Sequence, residues 1–281
     1  MQTDFQSKKD GHRFPAPKRQ AFSLQVITPL FNLSDLPEDC RALTPCMMNG
    51  ETVGAFFLSP RRAVTDVFFR AEALMQAGRV MILYLDGLGY ALYHRAARRF
   101  MPFCARTFSC VSARTAYPPL TQPCMASMLT GAWPQTHGIF SRRDHRPRVP
   151  SLLRHPGAVL VEADSAPLAL EREPVLTLPR AGESVDAAVL RAALPIAAGD
   201  APLLIVHFHG LDDLEHEVGD DEALLADKLH ELDDAVRALC AVFRGAAILC
   251  ADHGAHREDG AGGHGRFDCR DMFVPYGEAL L

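Results

Sequence analysis

The chain has no Cys-x-x-Cys pair, although it carries eight cysteines, at positions 40, 46, 104, 110, 124, 240, 250 and 269. Spacing this scattered argues against a zinc ribbon or a compact disulfide framework. No apolar run approaches the ~18 residues of a membrane span, and residues 1–10 lack the apolar core of a signal peptide. Positive charge is not in excess: the net charge is −5 and the pI about 6.2. Neither a nucleic-acid polymer nor a membrane is therefore expected as a partner. There is no internal repeat and no low-complexity tract. A reducing cytoplasm is the expected setting, and nothing in the sequence specifies an oligomeric state.

What is present suffices for one sizeable core, since 48% of the 281 residues are hydrophobic. Residues 1–20 are polar, with Lys8, Lys9, Arg13, Lys18 and Arg19, and read as a flexible lead-in. Residues 21–281 read as one catalytic domain, in which 21–60 form an N-terminal elaboration of short strands with a hairpin turn at Asn49-Gly50. Beyond it, strand-like runs over 79–85, 157–163, 202–209 and 246–251 alternate with helical stretches over 61–77, 90–100 and 184–193. Leucine and valine at 225, 229, 232, 236 and 239 form the stripe of a further helix packing on a sheet. Such alternation predicts a mostly parallel sheet covered on both faces, with another strand somewhere in 102–117.

Chemistry-bearing residues sit where these runs end. Asp86 follows the first, Asp212 the third, and Asp252-His253-Gly254 the fourth, at the positions where an α/β sheet gathers its site. Asp212 and His216 are four apart, so one helical turn presents both to the same side. The plain reading of that pair is an acidic helix start, with Asp213, Glu215, Glu217, Asp220 and Asp221 nearby. Thr121 lies among Pro118, Pro119 and Pro123, just before a short helix over 124–129 that ends at Gly131. It reads either as a helix cap or as a hydroxyl placed for chemistry. His264 stands in Gly262-Gly263-His264-Gly265.

Taken in order, a strand-borne Asp86, Thr121 with Thr130-Gly131 nine residues on, Asp212-x-x-x-His216, Asp252-His253-Gly254 and a last histidine resemble the alkaline phosphatase superfamily. The closer resemblance is to its branch of nucleotide pyrophosphatases, phosphodiesterases and phosphonoacetate hydrolases, over residues 79–275. It implies an α/β three-layer sandwich with a minimal cap. It also implies a metal-dependent phosphohydrolase that works through a covalent phosphothreonine on Thr121 and takes a small phosphorylated substrate. Two divalent ions are implied, zinc or else manganese or iron. Asp86, Thr121, Asp252 and His253 would hold one, and Asp212, His216 and His264 the other. His256 competes for the last position; His264 is preferred because residues 265–275 resemble the family's final His-Gly and returning strand. A phosphomonoesterase, a phosphonate hydrolase or a phosphotransferase would use the same residues, and a non-catalytic binding protein of the same fold is the reading from another class.

Two positions depart from the family pattern. Where family phosphodiesterases commonly have asparagine, three and about twenty-one residues after the nucleophile, this chain has Cys124 and Arg142. Both are candidates for substrate binding. Arg142 would add a full charge and two parallel donors, favouring a dianionic monoester, although residues 141–146 read equally well as a solvated loop. His137 is expected to stabilise a turn, His207 and His209 to lie in the core or at an edge, and residues 164–179 to form a substrate-facing loop.

Overall fold

The computed structural model describes residues 43–48, 51–57, 62–164, 166–258 and 261–281. The expectations for residues 1–42 and for the turn at Asn49-Gly50 lie outside them. The strands that flank that turn, β1 (Leu43–Met48) and β2 (Glu51–Phe57), pair antiparallel with Met48 opposite Glu51.

The main unit runs α1 (Asp66–Met75), β3 (Val80–Leu85), α2 (Tyr90–Phe100), α3 (Pro102–Phe108), β4 (Val111–Arg114), α4 (Thr121–Thr130), α5 (Pro134–His137), β5 (Val159–Glu162) and β6 (Val175–Leu176). It continues α6 (Val185–Ala198), β7 (Leu203–Phe208), α7 (Gly210–Val218), α8 (Ala226–Val242), β8 (Ala246–Cys250), β9 (His256–Glu258), β10 (Ala261–Gly263), α9 (Cys269–Met272) and β11 (Phe273–Leu280). Seven strands form one sheet in the order β4-β11-β8-β3-β7-β5-β6. The pairs around β3, β7 and β5 are parallel, whereas β11 returns antiparallel between β8 and β4.

Why the core lies here follows from the strands. Every residue of β3, β7 and β8 is buried, so their continuous apolar runs need cover on both faces. Helices α2, α3, α6 and α8 pack on one another as one group, and α1 packs on α4 as another. The predicted stripe on α8 is the buried one: Leu225, Leu229, Leu232, Val236 and Leu239 all have no exposure. Helix α6 starts as expected, with the Ser184 side chain accepting from the Ala187 amide, and runs on to Ala198.

The strand expected within 102–117 is β4, and helix α3 ahead of it is an element not expected from the sequence. Its first-turn amides find their acceptor far away in sequence: the Phe103 and Cys104 amides donate to Asp233 of α8 at 3.1 and 2.8 Å. Among the described residues, no helix is long and apolar enough to cross a membrane.

Candidate active site

The sheet delivers its polar residues to one end. β3 and β7 are parallel and in register, with Leu85 opposite Phe208, so Asp86 and the start of α7 emerge side by side. β8 is parallel to β3 on its other side and brings Asp252 and His253 to the same end. This is the carboxyl edge of a parallel sheet, where successive strands present loops to one crevice.

Thr121 is the first residue of α4, and Leu120 occupies the N-cap without any side-chain cap bond. The threonine is thus not a cap. Its Oγ1 lies 3.3 Å from His253 Nε2 instead. Asp86 Oδ1 and Asp252 Oδ2 each approach that same nitrogen to 3.3 Å. On the far side of His253 the His264 ring stacks at 3.8 Å and 9°. His264 Nε2 is 3.7 Å from Asp212 Oδ1, and His216 Nε2 is 3.3 Å from Asp212 Oδ2.

Backbone carbonyls set the histidine tautomers. A carbonyl can only accept, so His264 Nδ1, 2.9 Å from the Pro119 oxygen, carries the hydrogen, as does His253 Nδ1 at 3.3 Å from the Gly254 oxygen. In its neutral form each ring then turns an Nε2 lone pair into the site, the orientation that metal-binding histidines require. Two groups of ligand atoms come within 4.8 Å of one another: Asp86, Asp252 and His253, and Asp212, His253 and His264. Of the first expected set, Asp86, Asp252 and His253 come together, with Thr121 Oγ1 beside His253. In the second, His253 stands between the two groups and His216 remains at the rim, its side chain 40% exposed.

Charge in the site is out of balance. Asp86, Asp252 and Glu215 are buried and Asp212 nearly so, yet Asp86 Oδ1, Asp252 Oδ2, Asp212 Oδ1 and both Glu215 carboxylate oxygens have no hydrogen-bond partner. Burial pushes the Asp86 carboxyl well up, and the charges of Asp252 and Asp212 push it further. Glu215 is raised by burial and by Asp212. Burial would also raise Asp212, but the hydrogen bond from His216 and the charge of His253 hold it below the usual carboxylate range. Burial and the neighbouring His253 hold His264 down to about 4, so it stays neutral. Orphaned carboxylate oxygens facing imidazole lone pairs are the donor set that divalent cations satisfy, and the residues present fit a pair of them.

The remaining expected residues divide. Arg142 reaches the site, its Nη2 2.9 Å from His264 Nε2. Cys124 has no surface to offer a substrate: it is fully buried, and its thiol points at the carbonyl oxygens of Ala116 and Pro118. His256 turns away to Asp271, 2.7 Å from its Oδ1, whereas His264 Nε2 faces Asp212. His137 is a turn residue as expected, accepting the Ile139 amide at Nδ1 and meeting Ser127 Oγ through Nε2. The 164–179 segment packs on 145–151, with the Ala169 amide on the His145 carbonyl and Glu171 on Ser151. Sequence reasoning missed His207 and Glu162, which stand behind Asp86, and buried Glu215. An i, i+2 offset from Asp86 across a parallel register is the signal that could have found His207.

Residues 80–157 match the family described as type I phosphodiesterase / nucleotide pyrophosphatase. The match bears out the resemblance over the segment carrying Asp86, Thr121 and Arg142; the later motifs lie beyond it. No curated protein sequence matches the chain. Among solved structures, a 2-O GAG sulfatase aligns with 14% identity and a TM-score of 0.57, covering 73% of this chain and 64% of its own. Phosphonoacetate hydrolase from Sinorhizobium meliloti 1021 aligns with 17% identity and a TM-score of 0.48, covering 65% and 59%. Murine ectonucleotide pyrophosphatase / phosphodiesterase 5 aligns with 15% identity and a TM-score of 0.47, covering 64% and 58%. The chain thus spans less than two thirds of each of these structures, and the likeness to the sulfatase is one of fold.

Proposed function

We propose that this chain hydrolyses a small phosphate ester, in the manner of a type I phosphodiesterase, through a phosphothreonine formed on Thr121. The observation that supports this best is the meeting of Thr121 Oγ1, Asp86 Oδ1 and Asp252 Oδ2 around His253 Nε2, each at 3.3 Å, at the carboxyl end of the sheet. A helix-start threonine and two carboxylates that follow different strands have no structural reason to converge on one atom.

Thr121 sits at the start of α4, where the Gln122 amide has no intrahelical partner and the helix end favours an anion. A phosphoryl group would rest there, with Arg142 at the open side. Thr121 gives up its hydroxyl proton to solvent, and Oγ1 attacks phosphorus in line as the leaving oxygen departs on the opposite side. Water then attacks the phosphothreonine, releasing phosphate, or a monoester from a diester, and restoring the hydroxyl. Two inversions give net retention at phosphorus. When bound by Asp86, Thr121, Asp252 and His253, and by Asp212, His216 and His264, two divalent cations would neutralise the oxygens in flight and acidify the hydroxyl and the water.

A phosphomonoesterase is the second reading, favoured by Arg142 reaching His264 at 2.9 Å. A guanidinium there suits two terminal oxygens better than one. Metal content, together with hydrolysis of a p-nitrophenyl phosphomonoester and phosphodiester by wild type and Thr121→Ala, tests both readings. About two ions per chain and activity reduced to background in the variant are expected, and the faster ester identifies the class. Turnover that survives the loss of Thr121 would overturn the phosphothreonine, and a protein that takes up no zinc or manganese and hydrolyses neither ester would leave a binding protein of this fold.

A further inference from the structure

Hydrogen bonding around Asp86 extends into the sheet behind it. Tyr84 on β3 stands opposite His207 on β7, and β5 flanks β7 with Val161 opposite Val206, which brings Glu162 level with His207. Side chains two apart on a strand share a face, so Asp86 stands on the same side as Tyr84, above this row. His207 Nε2 lies 3.0 Å from Asp86 Oδ2, and its Nδ1 lies 3.1 Å from Glu162 Oε1. The ring stacks on Tyr84, 4.0 Å between centroids and 4° from parallel. Glu162, His207 and Asp86 are 1%, 3% and 3% exposed, so the first two are shut off from any substrate in the crevice.

This arrangement constrains Asp86 in a specific way. One of its oxygens, Oδ2, is taken by His207, so Oδ1 alone, which has no hydrogen-bond partner, is presented towards His253 Nε2. The imidazole cannot swing away, because Glu162 holds its far nitrogen and Tyr84 lies flat against its face. A ring with a carboxylate at each end is a costly choice for filling a dry strand row, where an apolar side chain of similar volume would serve.

We propose that Glu162 and His207 form a positioning pair that fixes which oxygen of Asp86 faces the cation held with Asp252 and His253. This rests on the reading of Asp86 as a ligand given above. Neither residue touches substrate, so their loss acts on cation affinity and kcat and leaves KM nearly unchanged. Outer partners of metal ligands are typically worth 10- to 100-fold in affinity.

The test compares the wild type with His207→Ala, His207→Gln and Glu162→Gln. Zinc affinity is measured by competition with a chromophoric chelator, kcat and KM with a p-nitrophenyl ester at saturating zinc, and melting on metal-free protein. His207→Ala is expected to weaken zinc binding at least about tenfold and to lower kcat with KM within twofold. His207→Gln, whose amide still offers a donor to Asp86, is expected to recover most of that loss, and Glu162→Gln to weaken binding at least threefold. If His207→Ala does not fold, the near-isosteric Glu162→Gln carries the test alone. Variants that melt lower but bind zinc within twofold of a zinc-binding wild type would reduce the pair to packing and overturn the proposal. A wild type that binds no zinc would overturn the ligand assignment of Asp86 itself, and this proposal with it.

Discussion

Replacing Gly254 by alanine should disable the site through the backbone alone. Gly254 follows Asp252-His253, and a Cβ built on it would fall 2.1 Å from the Arg270 carbonyl oxygen and 2.4 Å from Gly89 Cα. Both are main-chain atoms, so no rotamer change relieves the contact. Ordinary van der Waals contact begins near 3.4 Å, so the segment must move by on the order of 1 Å. The movement has nowhere harmless to go: the Gly254 amide is tied to the Asp271 carbonyl, and the Gly254 carbonyl holds His253 Nδ1. Overpacking of this kind costs about 1–3 kcal/mol, equivalent to roughly 2–12 °C in Tm for a unit of this size. A misplacement of about 1 Å in a catalytic group costs about 100-fold in rate. Gly254→Ala should therefore melt within that range below wild type and lose about two orders of magnitude in kcat on a p-nitrophenyl ester, the rate falling much further than the stability does. A variant that melts within 1 °C and turns over within twofold of wild type would show that His253 is not held by this packing.

Other consequences can be checked with simpler assays. Arg142→Ala should lower kcat/KM for a phosphomonoester more than for a diester, by about tenfold if the guanidinium makes a charge-assisted contact; equal small effects would return Arg142 to the solvated loop. Asp233→Ala strips the acceptor from the half-buried Phe103 and buried Cys104 amides at the start of α3, and should cost about 2–4 kcal/mol in urea unfolding with little change in kcat. His137 accepts the Ile139 amide at Nδ1, and burial holds its pKa down to about 4 against 6.5. Because the unfolded chain binds the proton first, stability is full above about pH 6.5 and falls as the pH drops towards 4, by at most about 3 kcal/mol. Urea midpoints at pH 7.5 and 5 should therefore diverge more for wild type than for His137→Gln; equal divergence would remove His137 as the source.

Much of the architecture and the site was legible in the sequence because local signals carried it. Continuous apolar runs marked β3, β7 and β8, the stripe from Leu225 to Leu239 marked α8, and Asp86, Asp212 and Asp252-His253 followed the strands that deliver them. What the chain could not disclose by itself are relations between residues far apart in it. Helix α3 went unseen because the acceptor for its first amides is Asp233, some 130 residues away. His207 read as an ordinary strand histidine because its partners, Asp86 and Glu162, come from two other strands and meet it only through parallel register. Whether Thr121 is a cap, and whether His264 or His256 faces the site, were equally open until packing turned Thr121 towards His253 and gave His256 to Asp271. Periodicity and spacing depend on neighbours along the chain and so can be read from it. The aim of a side chain depends on what the fold brings beside it, and only the tertiary structure decides that.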